Sequence, residues 1–355
     1  MLEERVFTAV GTSNIALIKY WGKRNEQLIL PTNSSISLTL DENLSSRTSV
    51  IFSERLDRDS FYLNGKVQDI NDGELKEKFQ IINRLRTMAG VRDNILVVSE
   101  NNFPTAAGLA SSAAGMSTLV FAASNALGLN LTQRDLSIVV RMGSGSACRS
   151  IAGGFVRWNR GELDDGSDSY AEQIFNESHW PEVTDVIAVV SEGKKRISSR
   201  SGMRQTMQTS ALYQSRPQFA ERMARELAEA IGRRDFNALA EIAIRDSNNM
   251  HATMLDTYPP ISYLNDTSRE IMNAVHEINE SAGEALAAYT FDAGPNAHVI
   301  TTDRHIASVR ERLSEIDGVS RLIESKAGRG PRILGESESL IDVGSMLPKR
   351  SSGDE

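Results

Sequence analysis

The chain has 355 residues, of which 40% are hydrophobic and 24% charged, and its net charge at pH 7 is −8. This length is enough for a large core divided between two lobes, and the acidic balance argues against nucleic acid as a partner. A single cysteine excludes an intrachain disulfide, five scattered histidines give no zinc spacing, and no apolar run is long enough for a membrane span or a signal segment. We therefore expect a soluble cytoplasmic protein with no structural metal, no membrane partner and no nucleic-acid partner.

The predicted elements of the first half are mostly strands. Alternating or β-rich runs predict strands over residues 5–10, 35–40, 47–52, 60–63, 95–99, 154–158 and 184–191. Asn64-Gly65 is typical of a hairpin turn. A helix is predicted over residues 74–89, a second one ends near Gly128, and Thr132 is expected to cap a third.

The second half is predicted to be rich in helices. Helical patterns cover residues 217–231, 236–248 and 266–280, and strands over 286–291 and 297–301 flank a turn. This order predicts an α+β fold with two lobes. The expected lobes are a β-rich one over residues 1–185 and a helix-rich one over 186–346, followed by a disordered tail, 347–355.

The most informative segment is 103–115, FPTAAGLASSAAG, which leads from small residues into a helix. A helix N-terminus leaves backbone N–H groups unpaired and can hold an anion. The hydroxyls of Ser111 and Ser112 could contact a phosphate or its Mg²⁺. A tight turn is the alternative, but Pro104 and the paired serines favour a phosphate site. The segment matches neither the P-loop nor the dinucleotide-binding pattern, so those folds are disfavoured.

Three other segments place cations among small or aromatic residues. NIALIKYWGKR, 14–24, is predicted to be a strand with Lys19 and Lys23 beside an aromatic pair, or else a surface strand with snorkelling lysines. GSGSACRS, 143–150, exposes hydroxyls and backbone donors, and its Arg149 could bind an anion with two hydrogen bonds. SSRSGM, 198–203, carries Arg200, with a surface loop as the alternative.

Asp292 directly follows an apolar strand in YTFDAGPN, 289–296. Its carboxylate could cap the turn, or it could orient or deprotonate a hydroxyl that lies among cations. Together, a nucleotide phosphate site, a second anion site and one carboxylate predict phosphoryl transfer onto an anionic alcohol.

At the level of motifs, FPTAAGLASSAAG resembles the phosphate loop of the galactokinase, homoserine kinase, mevalonate kinase and phosphomevalonate kinase superfamily. NIALIKYWGKR, LPTNSSIS, GSGSACRS, DSNNMHAT, PPISYLNDTS and YTFDAGPNA are similar to one branch of it, the mevalonate diphosphate decarboxylases. The resemblance spans residues 5–346. It implies a two-lobed small-molecule-kinase-like fold whose N-terminal lobe is ribosomal-protein-S5-like, and it implies a homodimer.

The resemblance also implies a reaction. ATP, with Mg²⁺, phosphorylates the 3-hydroxyl of mevalonate 5-diphosphate, and loss of phosphate and CO₂ then yields isopentenyl diphosphate. Asp292 matches the catalytic aspartate, and Lys19 and Asn14 match its neighbours in the catalytic site. The matching substrate contacts are Tyr20, Trp21, Gly22, Lys23, Ser144, Gly145, Ser146, Ala147, Cys148, Arg149, Arg200 and Met203. The matching ATP-binding positions are Ala107, Gly108, Leu109, Ala110, Ser111 and Ser112.

Two positions depart from the animal and fungal pattern. Glu74, followed by Lys76 and Lys78, stands where those members have an arginine, and Arg329 lies in the late GxGP loop. Alternative activities on the same scaffold are decarboxylation of mevalonate 5-phosphate, or ATP-independent decarboxylation of mevalonate 3,5-bisphosphate. A remote alternative, a non-catalytic sensor, predicts loss of the key lysine, aspartate or serines, and all of these are present.

Overall fold

A computed structural model of the chain describes residues 4–103, 111–190 and 197–348 and, within them, all side chains except those of Glu74, Lys78 and Ser111. The N-terminal lobe is built mainly of strands. They are β1 (Phe7–Thr12), β2 (Asn14–Ile18), β3 (Lys23–Asn25), β4 (Leu30–Pro31), β5 (Ser35–Thr39), β6 (Ser45–Ser53), β7 (Ser60–Leu63), β8 (Lys66–Gln68), β9 (Asn94–Asn101), β10 (Phe155–Trp158) and β11 (Ala171–Phe175). Its helices are α1 (Gly73–Ala89), α2 (Ser111–Ala126) and α3 (Gln133–Gly143), with 3₁₀ turns at Glu42–Leu44 and Gly145–Ile151.

The second lobe combines long helices with one sheet. Its strands are β12 (Val183–Val189), β13 (Ala287–Phe291), β14 (Ala297–Thr302) and β15 (Arg321–Lys326). Its helices are α4 (Ser199–Thr209), α5 (Arg216–Arg233), α6 (Phe236–Leu255), α7 (Asp266–Ala282) and α8 (Ile306–Ser314), with a 3₁₀ turn at Leu212–Ser215. After it come β16 (Arg332–Ile333), a 3₁₀ turn at Glu336–Glu338 and α9 (Val343–Met346).

Three sheets organise the described residues. One has the order β16-β1-β6-β9-β7-β8, with only β7 and β9 parallel. The second has the order β11-β10-β5-β2, and the third, in the second lobe, has the order β13-β14-β12-β15. A short hairpin, β3-β4, stands beside them. The protein is thus a mixed α+β fold of two lobes, as predicted.

One hydrophobic cluster joins the lobes and thereby positions the site. Ile15 and Leu17 of β2 pack in the same cluster as Ile187 of β12, and Leu227 of α5 and Leu239 of α6 cover them. All of these side chains are fully buried, so the end of β2 is held close to the second lobe's sheet. Burial of such apolar surface is the main force that fixes this arrangement.

The predicted elements are confirmed in type, and the differences have local causes. α6 continues to Leu255 because Met250 and Met254 extend its buried face into a further cluster. The strand predicted within residues 14–24 ends at Ile18. Residues 198–203, for which a surface loop remained open, instead begin a helix that Ser198 caps by accepting the Ser201 N–H.

The chain returns to the N-terminal lobe at its end. β16 pairs with β1, and Ile341 and Leu347 pack with Ile51 and Leu96. The predicted limits of 1–185 and 186–346 stay a prediction. Leu347, the first residue of the predicted disordered tail, is buried, which corrects the predicted start of that tail. Residues 349–355 lie outside the described part of the structure.

Candidate active site

The centre of the site is an ion pair between the lobes. Lys19 directly follows β2 and Asp292 directly follows β13. The Lys19 Nζ lies 2.7 Å from the Asp292 Oδ1. The lysine side chain is only 2% exposed, whereas the aspartate side chain is 33% exposed. The carboxylate is therefore open to solvent where the two lobes meet, a region we call the cleft, and the cation stays inside the protein.

Burial lowers the pKa of the Lys19 amine below its ordinary value. The Asp292 carboxylate opposes this shift through its charge and its hydrogen bond, and Asp246 opposes it through its charge. The Arg149 guanidinium lowers the pKa of Lys19 further. A lysine balanced in this way is sensitive to the charges around it, which is typical of functional sites.

Asn14 and Arg149 form a buried network beside this pair. The Asn14 Nδ2 donates to the Ser146 carbonyl at 3.1 Å and to the Ser150 hydroxyl at 2.8 Å. The Arg149 Nε and Nη2 donate to the Asn14 Oδ1 at 3.2 and 3.1 Å, and its Nη1 donates to the Ser35 hydroxyl at 2.8 Å. The two-pronged hydrogen bond expected for an anionic ligand is therefore made to Asn14, and an additional contact of Arg149 with substrate stays a prediction.

The GSGSACRS segment folds mainly as a 3₁₀ helix, not as an open loop. Gly145 allows close packing, since a Cβ there would lie 2.9 Å from the Tyr20 ring and 3.0 Å from the Trp158 ring. Ala147 and Cys148 are fully buried. Burial raises the pKa of the Cys148 thiol to about 12, so this thiol belongs to the core.

Backbone donors in this segment are partly used by the fold. The Ser144 N–H donates to the Val140 carbonyl, and the Ala147 N–H donates to the Ser144 carbonyl. The expectation that the segment exposes its backbone donors is therefore wrong at these two positions. The hydroxyls of Ser144 and Ser112 lie 3.4 Å apart, which joins this segment to the start of α2.

A cavity of about 240 Å³ lies beside the start of α2. Its lining is mainly apolar, with a few hydroxyl and amide groups. The lining residues are Thr48, Phe61, Leu63, Leu75, Phe79, Val97, Ser99, Asn101, Ser112, Gly115, Met116 and Leu119. A lining of this kind is typical of small-molecule pockets. The predicted phosphate-loop residues Ala107, Gly108, Leu109 and Ala110, and the Ser111 side chain, lie outside the described part of the structure.

The turn from Tyr20 to Lys23 is tightly held. Trp21 packs in a cluster with Met203 and Tyr213. Gly22 has a φ of +119°, and a Cβ there would lie 1.7 Å from the Tyr213 hydroxyl, so only glycine fits.

Polar groups of the same turn differ in their partners. Within the described residues, the Tyr20 hydroxyl and the Trp21 indole N–H are buried without a hydrogen-bond partner. The Lys23 ammonium lies 2.7 Å from Glu26. Two buried donors without partners are rare in folded proteins and are consistent with a ligand at this turn.

Arg200 and Met203 lie on α4 and connect it to the rest of the site. The Arg200 Nη2 donates to the Gly143 carbonyl at 3.0 Å, and its Nη1 pairs with Glu77 of α1. Met203 is buried against Trp21. α4 therefore brings a cation across to the N-terminal lobe at the segment that contains Ser144.

The two departures from the animal and fungal pattern, at Arg329 and at Glu74–Lys78, lie in different parts of the structure. The Arg329 side chain is 83% exposed, and its Nε lies 3.1 Å from a Glu177 oxygen. Lys76 is exposed on α1, and the side chains of Glu74 and Lys78 are outside the described set.

The polar face of α6 belongs to the site but was not predicted from the sequence. The Asp246 Oδ2 accepts the Lys19 N–H at 2.7 Å, and the Ser247 hydroxyl accepts the Phe291 N–H at 3.0 Å. Both residues lie in DSNNMHAT, which carried the resemblance without a role of its own. The available signal was that Asp246 and Ser247 continue the helical spacing of the apolar residues Leu239, Ala243, Met250 and Met254.

Two features are absent from residues 4–103, 111–190 and 197–348. There, no group of three or more His, Cys, Asp or Glu side chains is placed to hold a metal ion. Across the same ranges, no helix has the length and apolarity needed to cross a membrane.

Comparisons with known proteins cover both lobes. A family model described as the diphosphomevalonate decarboxylase-like N-terminal domain matches residues 11–171. One described as the mevalonate 5-diphosphate decarboxylase C-terminal domain matches residues 185–317. The diphosphomevalonate decarboxylase of Bos taurus is 47% identical over 316 residues, covering 85% of this chain and 78% of the relative. The diphosphomevalonate decarboxylase of Schizosaccharomyces pombe is 40% identical, and the match covers 96% of this chain and 98% of the relative.

Solved structures of mevalonate diphosphate decarboxylases are also similar to this chain. The mevalonate diphosphate decarboxylase of Staphylococcus aureus has a TM-score of 0.87 at 36% identity, covering 94% of this chain and 99% of its own. The mevalonate diphosphate decarboxylase of Enterococcus faecalis has a TM-score of 0.85 at 39% identity, and the match covers 93% of this chain and 98% of that structure's chain. Another similar chain, with the same score, identity and coverage, is described in complex with MVAPP, AMPPCP and magnesium.

Proposed function

Because this chain belongs to the diphosphomevalonate decarboxylase family, we propose that its cleft converts mevalonate 5-diphosphate into isopentenyl diphosphate. ATP transfers its terminal phosphoryl group to the tertiary 3-hydroxyl, whose proton is released, and ADP leaves. The C3–O bond then breaks and phosphate departs with the bonding electrons. The carboxylate leaves as CO₂, and the electrons of the broken C–C bond form the new double bond.

The Lys19–Asp292 pair is the observation that carries this proposal. A partly exposed carboxylate at the end of a strand can accept a hydrogen bond from the 3-hydroxyl and can orient or deprotonate it. The buried Lys19 ammonium beside it stabilises negative charge on the substrate carboxylate or on the transferring phosphoryl group. Asn14, held by Arg149, orders the same corner of the site.

Cationic and hydrogen-bonding groups around the pair suit an anionic substrate. Lys23, Arg149 and Arg200 supply positive charge from three different segments. The buried Tyr20 hydroxyl and Trp21 N–H, which have no hydrogen-bond partner among the described residues, are further donors at this turn. We assign these groups to the diphosphate and carboxylate of the substrate.

We place ATP in the cavity beside α2. The apolar lining suits a nucleoside base, and the adjacent helix N-terminus suits its phosphates. Ser111, Ser112 and the loop Ala107–Ala110 are the residues that would hold those phosphates. Mg²⁺ would accompany the nucleotide and neutralise part of its charge, which agrees with the magnesium and AMPPCP named for a similar chain.

A substrate panel tests this function. Mevalonate 5-phosphate, 5-diphosphate and 3,5-bisphosphate are each incubated with and without ATP, and CO₂ and ADP are measured. We expect CO₂ only from the 5-diphosphate with ATP, with one ADP for each CO₂. Complete decarboxylation of the 3,5-bisphosphate without nucleotide would overturn the proposal, and so would a preference for the 5-phosphate.

The proposed setting is a homodimer in the cytoplasm. The resemblance to the family supports the dimer, and the single buried cysteine is compatible with a reducing compartment. Size-exclusion chromatography with light scattering tests the dimer, since a monomer mass at micromolar concentration would contradict it.

A further inference from the structure

We propose that helix α6 positions both members of the Lys19–Asp292 pair: Asp246 holds the main chain of Lys19, and Ser247 holds the main chain next to Asp292. This inference rests on the proposed function, because it assigns the pair to the reaction. It makes Asp246 and Ser247 positioning residues, since neither touches the cleft carboxylate directly.

Arg216 fixes both carboxylate oxygens of Asp246. The Arg216 Nη1 donates to its Oδ1 at 2.7 Å, and the Arg216 Nη2 donates to its Oδ2 at 3.0 Å. The Oδ2 also accepts the Lys19 N–H at 2.7 Å. Both side chains of the Asp246–Arg216 pair are 0% exposed. A two-pronged arginine–carboxylate pair has a defined geometry, so the Oδ2 is a fixed acceptor for the lysine main chain.

The carbonyl of Lys19 is held from the other side. It accepts the Arg216 Nη2 at 3.2 Å and the Asn33 Nδ2 at 3.0 Å. β2 has already ended at Ile18, so no strand ladder fixes this residue. The buried pair replaces the ladder, and it sets where the flexible lysine side chain starts.

Ser247 fixes the main chain at the end of β13, the strand that leads to Asp292. Its hydroxyl accepts the Phe291 N–H at 3.0 Å, at the last residue of β13 and directly before Asp292. Consecutive residues of a helix point about 100° apart, so neighbours on α6 can reach two different strands. One helix thus fixes the backbone at the ends of two strands that belong to different sheets, which is how a site keeps its geometry.

Asp246 also acts on the charge of Lys19. Its carboxylate raises the pKa of the lysine against the effect of burial. The charged or titratable groups that face Lys19 from the packed elements are Asp292, Asp246, Arg149, Arg216 and His251. Removing the negative charge of Asp246 would therefore lower the pKa of Lys19 further, and the ammonium would lose its proton at a lower pH.

Asp246→Asn tests this role, with Asp59→Asn as a matched control. Asp59 also pairs with an arginine, Arg86, and also accepts a backbone N–H, that of Ile95 at 3.0 Å, but it lies directly before β7 and holds neither Lys19 nor Phe291. For Asp246→Asn we expect kcat to fall at least about tenfold while KM changes by less than about threefold. We also expect the alkaline limb of the pH–kcat profile to move at least about half a unit toward lower pH. Asp59→Asn should lower Tm without moving the pH profile.

Ser247→Ala gives a second test if Asp246→Asn does not fold. Its matched control is Thr301→Ala, which removes a hydrogen bond of 2.7 Å to the Leu286 carbonyl at the opposite end of β13. We expect Ser247→Ala to lower kcat about three- to tenfold at unchanged KM, and Thr301→Ala to leave kcat within about twofold at a similar loss of Tm.

The outcomes separate the two proposals. An active wild type whose Asp246→Asn and Ser247→Ala variants keep wild-type kcat and pH profile would overturn the positioning role alone. If only Ser247→Ala folds, its kcat decides whether the positioning role holds: a wild-type value would overturn that role. No CO₂ from the wild type with any of the three substrates would overturn the proposed function, and this inference with it.

Discussion

The Lys19 ammonium and the Asp292 carboxylate lie 2.7 Å apart although 273 positions separate them in the chain. Each directly follows a strand, and the two strands belong to different sheets. The asymmetry of the pair is as informative as its distance, because the cation is buried and the anion is partly exposed. A ligand hydroxyl entering the cleft would therefore meet the carboxylate first.

Asp292→Asn should lower kcat by roughly 10²–10⁴-fold while KM hardly changes. The amide oxygen can still accept a hydrogen bond from Lys19, so the variant removes mainly the charge. Steady-state rates of ADP and CO₂ release check this. Turnover near the wild-type rate would mean that the aspartate only caps its turn.

Arg149→Lys keeps the charge but cannot make the two-pronged hydrogen bond to Asn14. The loss of such charge-assisted bonds typically costs about 1.5–3 kcal/mol, so kcat/KM should fall about ten- to a hundredfold. Arg141→Lys is a matched control, since Arg141 is similarly buried but, among the described residues, donates only to backbone carbonyls, those of Leu28, Gly166 and Ser169. Equal loss of kcat/KM in both variants would show that the effect is general destabilisation.

Arg329→Ala should leave the choice of substrate unchanged. Its guanidinium is exposed and paired with Glu177, and exposed ion pairs contribute about 0–1 kcal/mol. The ratios of kcat/KM among the three phosphorylated mevalonates should stay within about twofold of the wild type. A selective loss of one substrate in Arg329→Ala would show that this arginine binds a phosphate.

Arg200→Ala, by contrast, should raise the KM for the phosphorylated mevalonate, because Arg200 reaches across to the Gly143 carbonyl at the start of the segment assigned to the substrate. Steady-state kinetics check this, and an unchanged KM would contradict the assignment.

His251 should make the fold sensitive to acid. Burial lowers its pKa from 6.5 to about 4, and the Lys19 cation adds to this shift. Between these values the unfolded chain binds the proton and the folded one does not, so stability is fully present above about pH 6.5 and is lost as the pH falls toward 4. The loss from this group amounts to at most about 3–4 kcal/mol.

His251→Gln carries an amide that does not titrate, and its nitrogen can still reach toward the Phe291 carbonyl. The free energy of unfolding of this variant should therefore fall less between pH 7 and pH 4.5 than that of the wild type. Urea unfolding at both pH values checks this. Parallel losses in the two proteins would contradict the role of the histidine.

Much of the local structure could be predicted from the sequence. Strand and helix types follow from apolar periodicity, and Thr132 caps α3 as predicted, because it accepts the Asp135 N–H. The motifs also singled out Lys19, Asn14 and Asp292 as residues of one site. They could not show that Arg149 binds Asn14, because that contact depends on how a 3₁₀ helix packs against β2.

By itself, the sequence determined the family, the order of elements and the chemical types of the groups in the site, since these are encoded in short segments. Only the tertiary structure decided which groups meet. The lobes are joined by a shared apolar cluster of β2, β12, α5 and α6, and burial is non-directional, so no local pattern specifies the resulting contacts. The hydrogen bonds of Asp246 and Ser247 to the ends of two strands became visible only once that cluster had brought the strands to one helix.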